Sequence, residues 1–148
     1  METTNERTLA ATIHRLAAWQ TATMNRYLRT LALNNDQANV IHYVGAHPGV
    51  NQRTVADLLS RNVASMTNLL KSLEGKDLLE RRFEGTDERT KHLYLTPHGQ
   101  TVDQEITRGF GTLNQRVDGA LTDAQREAAL NALDQLVTTL LPSDKGDL

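Results

Sequence analysis

The chain has 148 residues, 16 of them basic and 18 acidic, and no cysteine. That length suits one domain with a real core, and the formal charge of −2 supplies no overall field toward nucleic acid or an anionic membrane, so any such attraction must be local. The lack of cysteine excludes disulfide frameworks, thiolate metal sites and thiol redox sensing.

Apolar runs are a few residues long against the ~20 that a membrane span requires, and the opening METTNERT has neither the basic nor the apolar part of a signal peptide. A cytoplasmic location with no membrane partner is expected. Leu9, Ile13, Leu16, Met24, Leu28 and Leu31 recur near helical spacing, uninterrupted by Pro or Gly, and predict a long first helix. Asp36 is the expected cap of a second helix carrying Ala38, Val40, Ile41 and Val44, which stops near His47-Pro48-Gly49 because proline disfavours helix in the residue before it. Asn51 caps a short third helix with Val55, Leu58 and Leu59 as its buried stripe. Asn62 caps a fourth, with Val63, Met66, Leu70 and Leu73 turned inward.

The period then changes. Leu78 to Phe83 and His92 to Leu95 read as two strands of a hairpin, and the polar tip between them, Glu84 to Lys91, contains Gly85. Thr96 before Pro97 predicts a capped helix leaving the hairpin directly, with Val102, Ile106, Phe110, Leu113 and Val117 on one face. Gly109 and Gly111 each cost that helix roughly 1 kcal/mol against alanine, so a bend or a close approach of another backbone is expected there. Thr122-Asp123-Ala124-Gln125 is a capping box opening a last helix through Ala129, Leu133, Leu136 and Leu140, which Pro142 ends.

This order of elements defines a mainly α fold with a small β-hairpin wing. A winged helix-turn-helix lobe spans 34–98, and long helices in 1–33 and 99–148 complete a single domain, 1–148. In such a lobe the second helix of the motif lies in the DNA major groove. Here its outward face presents Ala64, Ser65, Asn68, Lys71 and Ser72, with Asn62 and Thr67 near its start: small where close approach is needed, and supplied with an amide, hydroxyls and a cation for base edges or phosphates. Any amphipathic surface helix also turns small and polar residues outward, so the helix alone does not decide. Arg89 and Lys91 at the hairpin tip add a basic arm. Between Asn51 and His98 stand eight basic and seven acidic residues, a net +1 that leaves −3 for the remainder. The lobe is thus no basic patch, and affinity would depend on a few well-placed cations and be sensitive to salt.

The run LLSRNVASMTNLLKSLEGKDLLERR followed by DERTKHLYLTPHG resembles the MarR-type (multiple antibiotic resistance regulator) transcription factors, whose wing reads D-x-R, a strand, then L-T-x-x-G. Asp87, Arg89, Leu95, Thr96 and Gly99 match that wing, and Leu73, Glu74, Leu78 and Arg81 match the end of the family's recognition helix. One position departs: Asp77 stands where the family often has glycine, with Gly75 two residues earlier. The resemblance implies a DNA-binding regulator, a repressor, in which Arg89 reaches the minor groove of double-stranded DNA and Asp87 orients it by an ion pair. The plainer alternative for that pair is a solvated salt bridge worth ~0 to 1 kcal/mol.

The resemblance further implies a homodimer on a palindromic operator, with Leu9, Ile13 and Leu16 meeting Leu133, Leu136, Val137 and Leu140. Alternatively, these stripes complete a monomer core. It also implies a small aromatic or lipophilic effector between the dimer helices and the DNA lobe, for which Trp19, Tyr27, His42 and Tyr43 are candidates; each could equally be a packing or surface residue. The five histidines show no i, i+4 pair within one helix, and the paired histidines of the family's zinc-responsive branch are missing from the long fifth helix, so neither metal nor other cofactor is expected. No Ser/His/Asp grouping, phosphate loop or paired-carboxylate site appears, which argues against an enzyme. A winged-helix module for protein contacts is the remaining alternative.

Overall fold

The computed structural model describes residues 8–59, 62–83 and 90–141. The elements run α1 (Leu9–Thr30), α2 (Asn35–Ala46), β1 (Val50–Asn51), α3 (Gln52–Leu58), α4 (Val63–Gly75), β2 (Leu79–Phe83), β3 (Lys91–Leu95), α5 (Pro97–Asp118) and α6 (Asp123–Leu140). They form two compact units, 1–111 and 112–148, the division falling within α5. The architecture is mainly helical with one small antiparallel sheet, as expected.

In the first unit Leu28, Ile41, Val44, Met66, Leu70, Leu73, Leu93 and Ile106 are fully buried. One core therefore joins residues of α1, α2, α4, β3 and α5. The sheet has the order β1-β3-β2, with Val50 opposite Leu93 and Leu79 opposite Leu95. Strand β1 went unpredicted because two residues are too few to show a period. Lys91 lies within β3 rather than in the tip, and Leu78 precedes β2 because it closes the end of α4.

Asn34, not Asp36, caps α2. Its Oδ1 accepts the Gln37 amide at 2.9 Å while Gln37 Oε1 accepts the Asn34 amide at 3.1 Å, a reciprocal box that requires Gln three residues after the cap. Asp36 falls in the first turn instead, where its charge complements the helix dipole. The stripe expected on α3 is also corrected. Val55 and Ala56 are buried, whereas Leu58 is 53% exposed, because the helix ends there after two turns. The caps at Asn51, Asn62 and Thr122 are as the spacing predicts.

Gly109 is explained by close approach, although of a ring rather than a backbone: a Cβ there would overlap the Tyr27 side chain. Gly111 has open space around it. In the second unit α6 follows a turn at Gly119–Leu121 and exposes Leu130, Val137 and Leu140. Pro142, Gly85 and the rest of Glu84–Arg89 lie outside the described residues, as does the side chain of Val63.

Candidate nucleic-acid interface

Both ends of α4 are tied down. At its start Asn62 Oδ1 accepts the Ser65 amide at 2.8 Å. Met66, Leu70 and Leu73 are fully buried, which leaves Ala64, Asn68, Lys71 and Ser72 exposed and Ser65 and Thr67 half-buried. Two of these hydroxyls already have protein partners. Gln52 Nε2 on α3 donates to Thr67 Oγ1 at 3.1 Å, and Gln37 Nε2 on α2 donates to Ser72 Oγ at 3.0 Å. The exposed stretch Ala64, Asn68 and Lys71 is then the part of this face most open to an outside partner.

The far end of α4 closes in a Schellman arrangement. The Asp77 amide bonds the Glu74 carbonyl at 2.9 Å and the Leu78 amide bonds the Leu73 carbonyl at 3.0 Å, with Asp77 in the left-handed region at φ 57°. Aspartate thus occupies the conformation that usually takes glycine, and α4 ends at Gly75 with Lys76 as its cap. The Lys76 ammonium reaches the Ala32 carbonyl at 2.5 Å, joining this end to the turn after α1.

The L-T-x-x-G run acquires a physical meaning here. Thr96 Oγ1 donates to the Asp77 carbonyl at 2.5 Å and accepts the Gly99 amide at 2.9 Å, so one hydroxyl links the exit of α4 to the first turn of α5. Gly99 lies directly against the Leu78 carbonyl, where a Cβ would collide with backbone. The motif is therefore a joint between α4 and the long fifth helix. Glu74 and Arg81, matched only as motif letters, form a bidentate ion pair at 2.7 and 2.5 Å that ties α4 to β2. The hydrogen bonds to Glu74 hold the Arg81 guanidinium pKa above its ordinary value.

On the wing, the Arg82 guanidinium lies 4.5 Å from the Tyr94 ring centre and also pairs with Glu80, while the Lys91 ammonium lies 5.6 Å from the Phe83 ring centre. Arg89, expected at the minor groove, and Asp87, expected to orient it, lie outside the described residues.

The four effector candidates do not gather at one cavity. Tyr27 donates its hydroxyl to the Glu105 carbonyl at 2.8 Å, and burial, with Glu105 beside it, raises its phenol pKa above the ordinary value. His42 Nδ1 lies 2.9 Å from Asp103 Oδ1, Tyr43 stacks on His47 with ring centres 4.3 Å apart, and Trp19 is 37% exposed. A cleft of about 280 Å³ opens instead among Val44, Gly45, Tyr94, Leu95, Asp103 and Gln104. His42 adjoins it through Asp103. Among the described residues no three His, Cys, Asp or Glu side chains are grouped to hold a metal, and no helix is long and apolar enough to cross a membrane.

A helix-turn-helix whose second helix shows a polar outer face, followed by a paired-strand wing, is a winged helix-turn-helix. Residues 31–90 match the MarR family. The HTH-type transcriptional regulator PetP of Rhodobacter capsulatus is 30% identical over 67 residues, 45% of this chain and 40% of that protein, so the match spans less than half of PetP. A protein named for transcriptional regulation of the hcr operon in Thauera aromatica is 24% identical over 121 residues, 79% of this chain and 73% of that one. Among solved structures, Staphylococcus aureus MepR, a transcription regulator of the multidrug efflux pump MepA, superposes with a TM-score of 0.82 at 24% identity over 90% of this chain and 98% of its own. A mutant of MepR bound to an oligodeoxyribonucleotide gives 0.72 at 25% identity over the same shares. The match to the MarR family covers residues 31–90, and the relatives PetP and the hcr-operon protein are both named as transcriptional regulators.

Proposed function

We propose that the protein is a cytoplasmic repressor that binds double-stranded DNA as a homodimer on an inverted repeat. The observation that carries this reading is the outer face of α4: Ala64, Asn68 and Lys71 are exposed on a helix capped at both ends and braced by the Glu74–Arg81 pair. Fixed geometry is what base reading requires, and the family match and the oligonucleotide-bound MepR relative support the partner. In this reading Asn68 faces base edges and Lys71 a phosphate. Asn62, Ser65 and Thr67 approach the backbone near the helix start, Lys91 extends the contact along the wing, and Arg89, oriented by Asp87, enters the minor groove.

One short helix reads few base pairs, so two copies are needed for useful specificity. The exposed apolar residues Leu9, Ile13 and Leu16 on α1 and, separately, Leu133, Val137 and Leu140 on α6 with half-buried Leu136 are the residues each helix offers to a second copy. Residues 34–98 then serve as the DNA-binding lobe, and 1–33 with 99–148 as the dimerisation region. A small aromatic or lipophilic effector has the cleft beside Tyr94 and Asp103 as its candidate seat, since Tyr27 and Tyr43 are engaged in packing.

Selection of bound duplexes from a randomised library at physiological salt tests the reading. Enrichment of an inverted repeat with half-sites about ten base pairs apart is expected. No enrichment from a folded, dimeric protein would reject specific DNA binding and leave the protein-contact module.

A further inference from the structure

Phe83 is 57% exposed, an unusual place for a phenylalanine, and its neighbours are charged. Strand pairing sets its direction. Leu79 stands opposite Leu95, Arg81 opposite Leu93 and Phe83 opposite Lys91, so these six side chains share one face of the sheet. The inner four are committed: Leu79, Leu93 and Leu95 are buried, and Arg81 grips Glu74 of α4. Glu80, Arg82, His92 and Tyr94 occupy the opposite face. Phe83 and Lys91 therefore continue, out into solvent, the same face of the wing that holds α4.

We propose that Phe83 and Lys91 form a two-residue platform for the DNA backbone, the Lys91 ammonium taking a phosphate and the Phe83 ring packing against the adjoining deoxyribose. The proposal rests on the DNA-binding reading above. A backbone repeat offers what this pair complements, an anion next to an apolar sugar. The ammonium beside the ring keeps the cation close to the apolar contact. A protein partner would need a broader apolar patch, whereas the charged Lys91 lies against this ring.

The two members differ in their response to salt, because Lys91 acts by counterion release and the neutral ring does not. Full-length protein, Phe83→Ala, Phe83→Tyr and Lys91→Gln are compared on one selected duplex across a salt series, with thermal unfolding of each measured alongside. Phe83→Ala should weaken binding about fivefold at every salt concentration, through lost apolar contact, with unchanged slope and melting temperature. Phe83→Tyr should bind like the parent, and Lys91→Gln should weaken binding and reduce the slope by about 1. Unchanged affinity in Phe83→Ala, while the parent binds the duplex, overturns the platform and leaves DNA binding intact. A Phe83→Ala slope reduced as far as that of Lys91→Gln overturns direct ring contact, because the ring would then act only by holding the ammonium. Failure of the parent itself to bind any duplex would remove the DNA-binding reading and the platform together.

Discussion

Asp77→Gly should stabilise the protein. Asp77 holds φ 57° at the end of α4, and the two hydrogen bonds that close this end, from the Asp77 and Leu78 amides, are both backbone bonds that glycine retains. A left-handed residue other than glycine costs about 1–2 kcal/mol, with aspartate toward the low end because its side chain can bond locally. Glycine returns part of this gain through its freer unfolded chain, about 0.5–1 kcal/mol. The net expectation is about 0.5 kcal/mol of added stability, near 1–2 °C in melting temperature for a chain of this size. Ala32, at φ 55° in the same arrangement after α1, supplies an internal comparison. Without a polar side chain to ease the strain, Ala32→Gly should gain more, about 1 kcal/mol. Urea unfolding at one fixed protein concentration, needed because association contributes to apparent stability, measures both changes. If both variants are less stable than the parent, backbone strain is not what these positions carry.

Two of the three glycines of α5 make opposite predictions. Gly99→Ala forces a Cβ onto the Leu78 carbonyl and should destabilise by about 2–4 kcal/mol in urea unfolding, whereas Gly111→Ala meets open space and should add about 0.5–1 kcal/mol. Glu74→Gln removes the charge from a partly exposed bidentate pair and should lower stability by about 1 kcal/mol while weakening DNA binding, read by urea titration and fluorescence anisotropy. Asn68→Ala should change preference at particular base pairs, while Lys71→Ala should weaken all sequences alike and flatten the salt dependence, both measured by binding selection and titration. Equal effects on every sequence from both substitutions would remove Asn68 from the reading role.

Local signals determined much of this protein. Caps at Asn51, Asn62 and Thr122, the buried spacing of Met66, Leu70 and Leu73, and the change to strand after Asp77 depend on neighbours within a few residues, and are legible for that reason. The choice of Asn34 over Asp36 is also local, since Gln37 completes the box only with Asn34; the acid nearer the helix interior is the weaker signal. Other features came only from the folded chain. Strand β1 exists because β3 offers it an edge, and Gly109 is required because the ring of Tyr27, far earlier in the sequence, presses against it. Thr96 and Gly99 are recognisable as a motif. That they join the exit of α4 to the start of α5 depends on contacts with Asp77 and Leu78 across the hairpin. Phe83 reads as an ordinary strand residue until register places it beside Lys91 on the face of the sheet that holds α4. Periodicity specifies which face of an element is apolar, whereas pairing register and close approach are relations between distant segments that packing alone creates.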